Sequence, residues 1–111
     1  MKIVHVGCGR DIIPGAINID YIRAFKYINH PTIAYMLYRI GFLNREGYRL
    51  VKELYPERDV IKWGRATKLP VKNEEADVVY SCHMMEHLTH EDAEKFLCEV
   101  YRILKGGGYF A

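Results

Sequence analysis

The sequence is short of several things, and each shortage removes a class of protein. It has no apolar run near the ~20 residues that a bilayer span needs. Its longest uncharged stretches, Ile12 to Ile19 and Ile28 to Tyr38, fall well below that length. No charged leader with a small-residue cleavage site opens it, because Met1-Lys2 runs straight into Ile3-Val4; neither export nor a membrane partner is expected. Cysteine is scarce, with Cys8, Cys82 and Cys98 making an odd set of 3 without close spacing. That argues for reduced thiols and a cytoplasmic protein rather than a disulfide scaffold. Repeats and low-complexity tracts are missing too, which removes solenoids and linkers. With 111 residues, 50% of them hydrophobic and 13% aromatic, disorder is excluded and a single domain spanning 1–111 is expected.

A large net charge is also lacking, but the value of +2 hides an asymmetry. Residues 22–68 carry 10 Lys/Arg against 4 Asp/Glu, whereas residues 69–111 carry 4 against 8. A basic middle beside an acidic end suits an anionic partner, and nucleic acid is one candidate. Tyr27, Tyr35, Tyr38, Tyr48 and Tyr55, interleaved with Arg39, Arg45, Arg49 and Lys52, have the types that stack bases and pair phosphates. The same residues also suit the solvated flank of a helical hairpin over an active site.

Short β-prone runs alternate with helical patterns. Ile3-Val4-His5-Val6 stops at Gly7-Cys8-Gly9, and Ile17-Asn18-Ile19 follows the turn pair Pro14-Gly15. Asp59 to Trp63 reads as a third strand and Asp77 to Tyr80 as a fourth, apolar enough to be buried on both faces. Tyr109-Phe110-Ala111 opens a fifth. Thr89 with Asp92 resembles a capping box for a helix from His90 to Leu104, with Gly106 as its terminator. Thr32 to Ile40 and Arg45 to Leu54 read as two more helices, within a helical insertion at about 22–58. The alternation indicates an α/β fold with a mainly parallel sheet of 4–5 strands and flanking helices.

Gly7-x-Gly9 after an apolar strand is where backbone N–H groups can approach a ligand closely. Ile12 stands where a dinucleotide fingerprint needs its third glycine, and no G-x-x-x-x-G-K-[ST] loop occurs anywhere. A ligand with little phosphate charge remains. Asp20, ending the second strand, is placed to accept hydrogen bonds from ribose hydroxyls. The link between strands one and two, Arg10 to Ala16, is too short for an ordinary parallel crossover of about a dozen residues. From these residues alone a hairpin on Pro14-Gly15 fits equally well.

Three ordered blocks, VHVGCGRDIIPGAINIDY, GRATKLP and ADVVYSCHMMEHLTHEDAEKFLCEVYRILKGGG, resemble the Rossmann-like core of class I S-adenosylmethionine-dependent methyltransferases. The resemblance implies a compressed crossover with at most one helical turn, and S-adenosylmethionine as cofactor. It implies that Gly7, Cys8 and Gly9 pass the methionine part and Asp20 holds the ribose. Ala66 and Thr67 would border the adenine, and Ser81, Cys82 and His83 would line the floor near the sulfonium. His5 and Arg65 depart from the family, standing where acidic residues are usual. The family's sheet has seven strands, so a shortened fold is expected here. The implied activity is methyl transfer to an acceptor that the sequence does not identify. The alternative is an inactive cofactor-binding or regulatory half-domain that works with a partner chain.

His83 or His87 is the candidate base, since histidine titrates near neutrality. His83-Met84-Met85-Glu86-His87 also matches H-x-x-E-H, which on a helix would set both histidines on one face to hold a metal. A softer metal reading uses Glu86 and His87 alone, as in the E-x-x-E-H that some methyltransferases carry. Finally, a small parallel sheet ending near Phe110 leaves an unpaired edge, and a homodimer is expected to cover it.

Overall fold

The computed structural model describes residues 1–111. Five strands, β1 (Ile3–Val6), β2 (Ile17–Asp20), β3 (Ile61–Trp63), β4 (Ala76–Ser81) and β5 (Leu104–Phe110), form one sheet in the order β3-β2-β1-β4-β5. Every neighbouring pair is parallel. Parallel strands bury both faces, which is why β4 carries Val78 and Val79 on opposite faces, both buried. Such a sheet must be wound by crossovers, and the shortest of them sets the character of this fold.

The β1–β2 connection is a compressed crossover and not a hairpin, with no helical turn in it. One side chain makes it workable. Asn18, fully buried on β2, accepts through Oδ1 from the Ile13 N–H at 2.9 Å and from His5 Nδ1 at 3.2 Å. Its Nδ2 lies 3.1 Å from the carbonyls of Ile13, Ala16 and Val60. A loop too short to form its own helix thus has its backbone groups satisfied by an amide from the sheet.

Three helices complete the molecule: α1 (Pro31–Arg39), α2 (Arg45–Leu54) and α3 (His90–Ile103). Proline starts α1, where its missing N–H costs nothing. Asn44 caps α2 by accepting from Gly47 N–H at 2.7 Å, and Thr89 caps α3 by accepting from Asp92 N–H at 3.1 Å. Two separate cores result. Val4, Val6, Ile19 and Val79 pack against Phe96, Val100 and Ile103 of α3; each fully buried side chain is worth roughly 1.5–3 kcal/mol. Leu50, Val51 and Leu54 of α2 pack with Phe25, Ile28, Ala34 and Ile61 in the other. Arg102 ties the 69–73 segment to α3, donating to the carbonyls of Leu69 (3.0 Å) and Val71 (2.9 Å) while pairing with Glu99 at 2.6 Å.

The structure moves several expected boundaries. A 3-10 turn over Tyr55–Val60, begun by Pro56, takes Asp59 and Val60 out of the third strand. Helix α1 starts at Pro31 rather than Thr32. Gly106 does not end the last helix: Leu104 leaves helical geometry at ψ 136° and is already the first residue of β5. The strand therefore begins five residues before Tyr109, across an irregular register between Ala76 and Val78. Glycine is needed at 108, where a Cβ would lie 2.7 Å from the Asp77 carbonyl oxygen.

Candidate functional site

The strand order fixes where a ligand can sit. From β1 the chain moves outward to β2 and β3, then returns across β1 to β4. The order reverses between β1 and β4, and the crevice beyond their carboxyl ends is the usual ligand position in open parallel sheets. Gly7, Cys8 and Gly9 follow β1 directly, and Ser81, at the end of β4, leads into Cys82 and His83. Asp20 ends β2, next to β1. Ala66 and Thr67, both half-buried, follow β3 at the far side, within a turn bridged from Arg65 to Lys68.

The glycine loop is folded by its own backbone. The N–H groups of Gly7 and Cys8 both donate to the Ile19 carbonyl, at 2.8 and 3.2 Å, and the Gly9 N–H donates to Asp20 Oδ2 at 2.8 Å. All three N–H groups thus have protein acceptors. What the loop offers is close approach, because Gly9 has nothing within 4 Å of where a Cβ would be. Both residues need glycine, at φ +75° and +54°. The Gly7 side is closed by Met84, whose Cγ would lie 2.6 Å from an added Cβ.

Asp20 accepts from Gly9 N–H and, through Oδ1, from Tyr21 N–H at 2.7 Å. A carboxylate has about four acceptor sites, so two remain for hydroxyl donors. Ser81 Oγ is the one enclosed side-chain polar atom without a hydrogen-bond partner, and it stands at the reversal point. An orphaned hydroxyl there and a half-satisfied carboxylate across β1 fit a polar, weakly charged cofactor such as a nucleoside sulfonium. Cys8 is buried, and burial with the nearby Asp20 charge pushes its thiol up to about 12, so it stays protonated. Its neighbourhood is a packing one, as its place in the α2 core shows.

His83 and His87 do not share a helix face. His83 stands in left-handed geometry at φ +55°, and only Met85–His87 forms a single 3-10 turn. The metalloprotease geometry therefore fails. His83 Nδ1 lies 3.3 Å from Glu86 Oε1, both exposed. No three His, Cys, Asp or Glu side chains gather anywhere in a metal-binding arrangement.

Arg10 is a contact that sequence reasoning missed. Its guanidinium reaches α2, pairing with Glu53 and lying 3.5 Å from Glu46. The helical hairpin is thus latched to the residue after the glycine loop. Beside the latch lies a hollow of about 610 Å³, lined by Arg10, Ile22, Arg23, Phe42, Leu43 and Leu50. A short loop leading into a crossover carries no pattern that announces such a contact.

A family model described as a methyltransferase domain matches residues 41–111. The chain belongs to this family of methyltransferase domains. No curated protein matches the sequence. Among solved structures, the chain is similar to the PH0226 protein of Pyrococcus horikoshii OT3 at TM-score 0.57 and 19% identity, covering 98% of this chain and 46% of that one. It is similar to a putative S-adenosyl-L-methionine-dependent methyltransferase of Methanococcus maripaludis at TM-score 0.56 and 15% identity, covering 96% and 44%. It also resembles phosphoethanolamine N-methyltransferase 1 of Haemonchus contortus, solved with phosphoethanolamine and S-adenosylhomocysteine, at TM-score 0.60 and 17% identity, covering 98% and 21%. The chain spans less than half the length of these three structures.

Proposed function

We propose that the chain binds S-adenosylmethionine in the β1–β4 crevice and transfers its methyl group to a nucleophile. The observation that supports this best is the convergence of Gly7 to Gly9, Asp20 and the unpartnered Ser81 hydroxyl on the reversal point of the sheet. Asp20 would hold the ribose, Ala66 and Thr67 would border the adenine, and Cys82 and His83 would floor the methyl end. When bound, the cofactor supplies a methyl group on a sulfonium, so no covalent enzyme intermediate is required. The chain's own contribution is alignment, exclusion of water and removal of a proton from the acceptor. Glu86 beside His83 Nδ1 would steady that ring and leave its Nε2 outward as base. His87, exposed on the adjoining turn, is the second candidate.

Calorimetry with S-adenosylmethionine tests the reading. Hydrogen bonds to charged groups are worth roughly 1.5–3 kcal/mol, so Asp20→Asn should weaken binding about ten-fold or more. Unchanged affinity would place the ribose elsewhere. Binding without methyl transfer to any acceptor would select the alternative, a cofactor-binding regulatory half-domain.

Two further readings belong to the same proposal. No helix is long and apolar enough to cross a membrane, and with three free cysteines we assign a cytoplasmic place. We also assign a homodimer. The outer edge of β5 has no neighbour, and Tyr109 on that strand is 58% exposed. A specific interface there should bury at least ~1,000 Å². A monomer by light scattering at micromolar concentration would refute it.

A further inference from the structure

Four of the ten Lys/Arg of residues 22–68, Arg39, Arg45, Arg49 and Lys52, lie with aromatic rings on the α1–α2 hairpin. Tyr48 of α2 stacks on Tyr38 of α1, with ring centroids 5.1 Å apart and planes 8° from parallel. Tyr35 meets the same ring at 5.7 Å, and Lys52 Nζ stands 5.6 Å from its centroid. Tyr38, Arg45, Tyr48, Arg49, Lys52 and Glu53 line a hollow of about 400 Å³. The carboxylates able to neutralise it are engaged elsewhere, Glu46 and Glu53 both with Arg10. Arg49 retains Glu46 at 3.8 Å, while Arg45 and Lys52 have no carboxylate within 4.0 Å. All four cation–ring pairs of the molecule, from Arg23 over Phe42 to Arg58 over Tyr55, fall in this basic middle.

Aromatic rings beside Arg45 and Lys52, which have no carboxylate partner, match a polymer that offers one ring and one phosphate per unit. A duplex hides its ring faces and would use only the charge. A second copy of the chain could bring its acidic end but no stacking partner for each ring. Position adds to this: Glu53, which lines the hollow, is the residue that Arg10 holds, so one ion pair joins the hollow to the residue after the glycine loop. Resting on the methyl-transfer reading, we infer that the α1–α2 hairpin docks a single-stranded nucleic acid that carries the methyl acceptor. Bases stack beside Tyr38 and Tyr48, and phosphates pair with Arg45, Arg49 and Lys52.

Fluorescence anisotropy without cofactor tests this, using labelled oligouridylate and oligothymidylate of about 12 nucleotides, within the usual span of single-strand sites, and a duplex of equal length. Both single strands should bind more tightly than the duplex, and preference for the uridylate would mark RNA as the source. Arg45→Gln with Lys52→Gln, both exposed, should lower the slope of log affinity against log salt by about 1.4, at ~0.7 per phosphate contact. Tyr48→Leu, checked by circular dichroism, should weaken binding about ten-fold. Duplex bound as tightly as single strands, with no effect of Tyr48→Leu, would reduce the surface to a polyanion attractor and overturn the inference. Absence of binding at low salt would also overturn it, as would self-association that the double variant abolishes while oligonucleotides are ignored. S-adenosylmethionine binding by calorimetry stands apart from these outcomes, so either reading can fail alone.

Discussion

Asn18→Leu is the sharpest test of how this fold closes. Leucine has nearly the shape of asparagine, so it leaves no hole for a rescuing water. It removes a partner from the Ile13 N–H, the carbonyls of Ala16 and Val60, and His5 Nδ1, while the Ile13 carbonyl keeps the Ala16 N–H at 3.2 Å. Ile13 and Val60 are half-buried and can recover bonds to solvent, but His5 is 3% exposed and Ala16 2% exposed. Two fully buried groups without partners cost roughly 1–3 kcal/mol each. Adding the net bonds lost at Ile13 and Val60 brings the expected loss to about 3–9 kcal/mol, a large share of the ~5–15 kcal/mol of a whole domain. Urea unfolding followed by circular dichroism measures it, with the midpoint falling and the slope unchanged. A loss below about 1 kcal/mol would refute the argument, since a typical single hydrogen bond already contributes that much. The crossover would then hold without its amide.

Other expectations follow from single contacts. Gly9→Ala should cost only the left-handed backbone penalty, roughly 1–2 kcal/mol, whereas Gly7→Ala also meets Met84 and should cost more; equal losses in urea would mean Met84 moves aside freely. Arg102 holds the Glu99 carboxyl below its ordinary range, chiefly through their hydrogen bond. Glu99 therefore stabilises the fold above the ordinary glutamate pKa of about 4.3, and that contribution fades as pH falls through its lower folded value. Glu99→Gln should be less stable than the parent at neutral pH, with the gap closing in acid; a gap independent of pH would break the linkage. Iodoacetamide at mild alkaline pH should alkylate exposed Cys82 and Cys98 and spare Cys8, as peptide mass spectrometry would show. Methyl transfer, once an acceptor is found, should persist in EDTA, because only Glu86 and His83 come together at the 83–87 turn; loss in EDTA with return on Mg²⁺ would restore the metal reading of Glu86 and His87.

The strands and helices were legible where local chemistry decides them. Thr89 announces its helix by side-chain type and spacing, and α2 runs over the expected Arg45–Leu54. The start of β5 was not legible, because Leu104 to Gly108 has helical residues followed by glycines, which favour no strand. It is held extended by β4 and by the close approach at Gly108, which only the folded sheet creates. The hairpin at Pro14-Gly15 was a fair reading of the loop; tertiary bonds from Asn18 overrule the turn signal. At the site, the order of residues along the sheet was readable, but hydrogen-bond direction was not. Ile19 and Asp20 across the β1–β2 pair take all three N–H groups of Gly7 to Gly9.

The glycine loop is also where the chain passes from one core to the other. Val6 packs under α3 with Val4 and Ile19, while Cys8, two residues on, packs with Leu50 and Phe25 of the hairpin core. Such a passage forces side chains to opposite sides across Gly7, and the left-handed turn at +75° achieves it within one residue. Arg10 then fastens the same loop to Glu46 and Glu53 from outside. A loop anchored by a strand carbonyl on one side and two packing units on the other has little freedom left. That rigidity suits a cofactor cradle, since a preorganised loop adds no ordering cost when a ligand arrives.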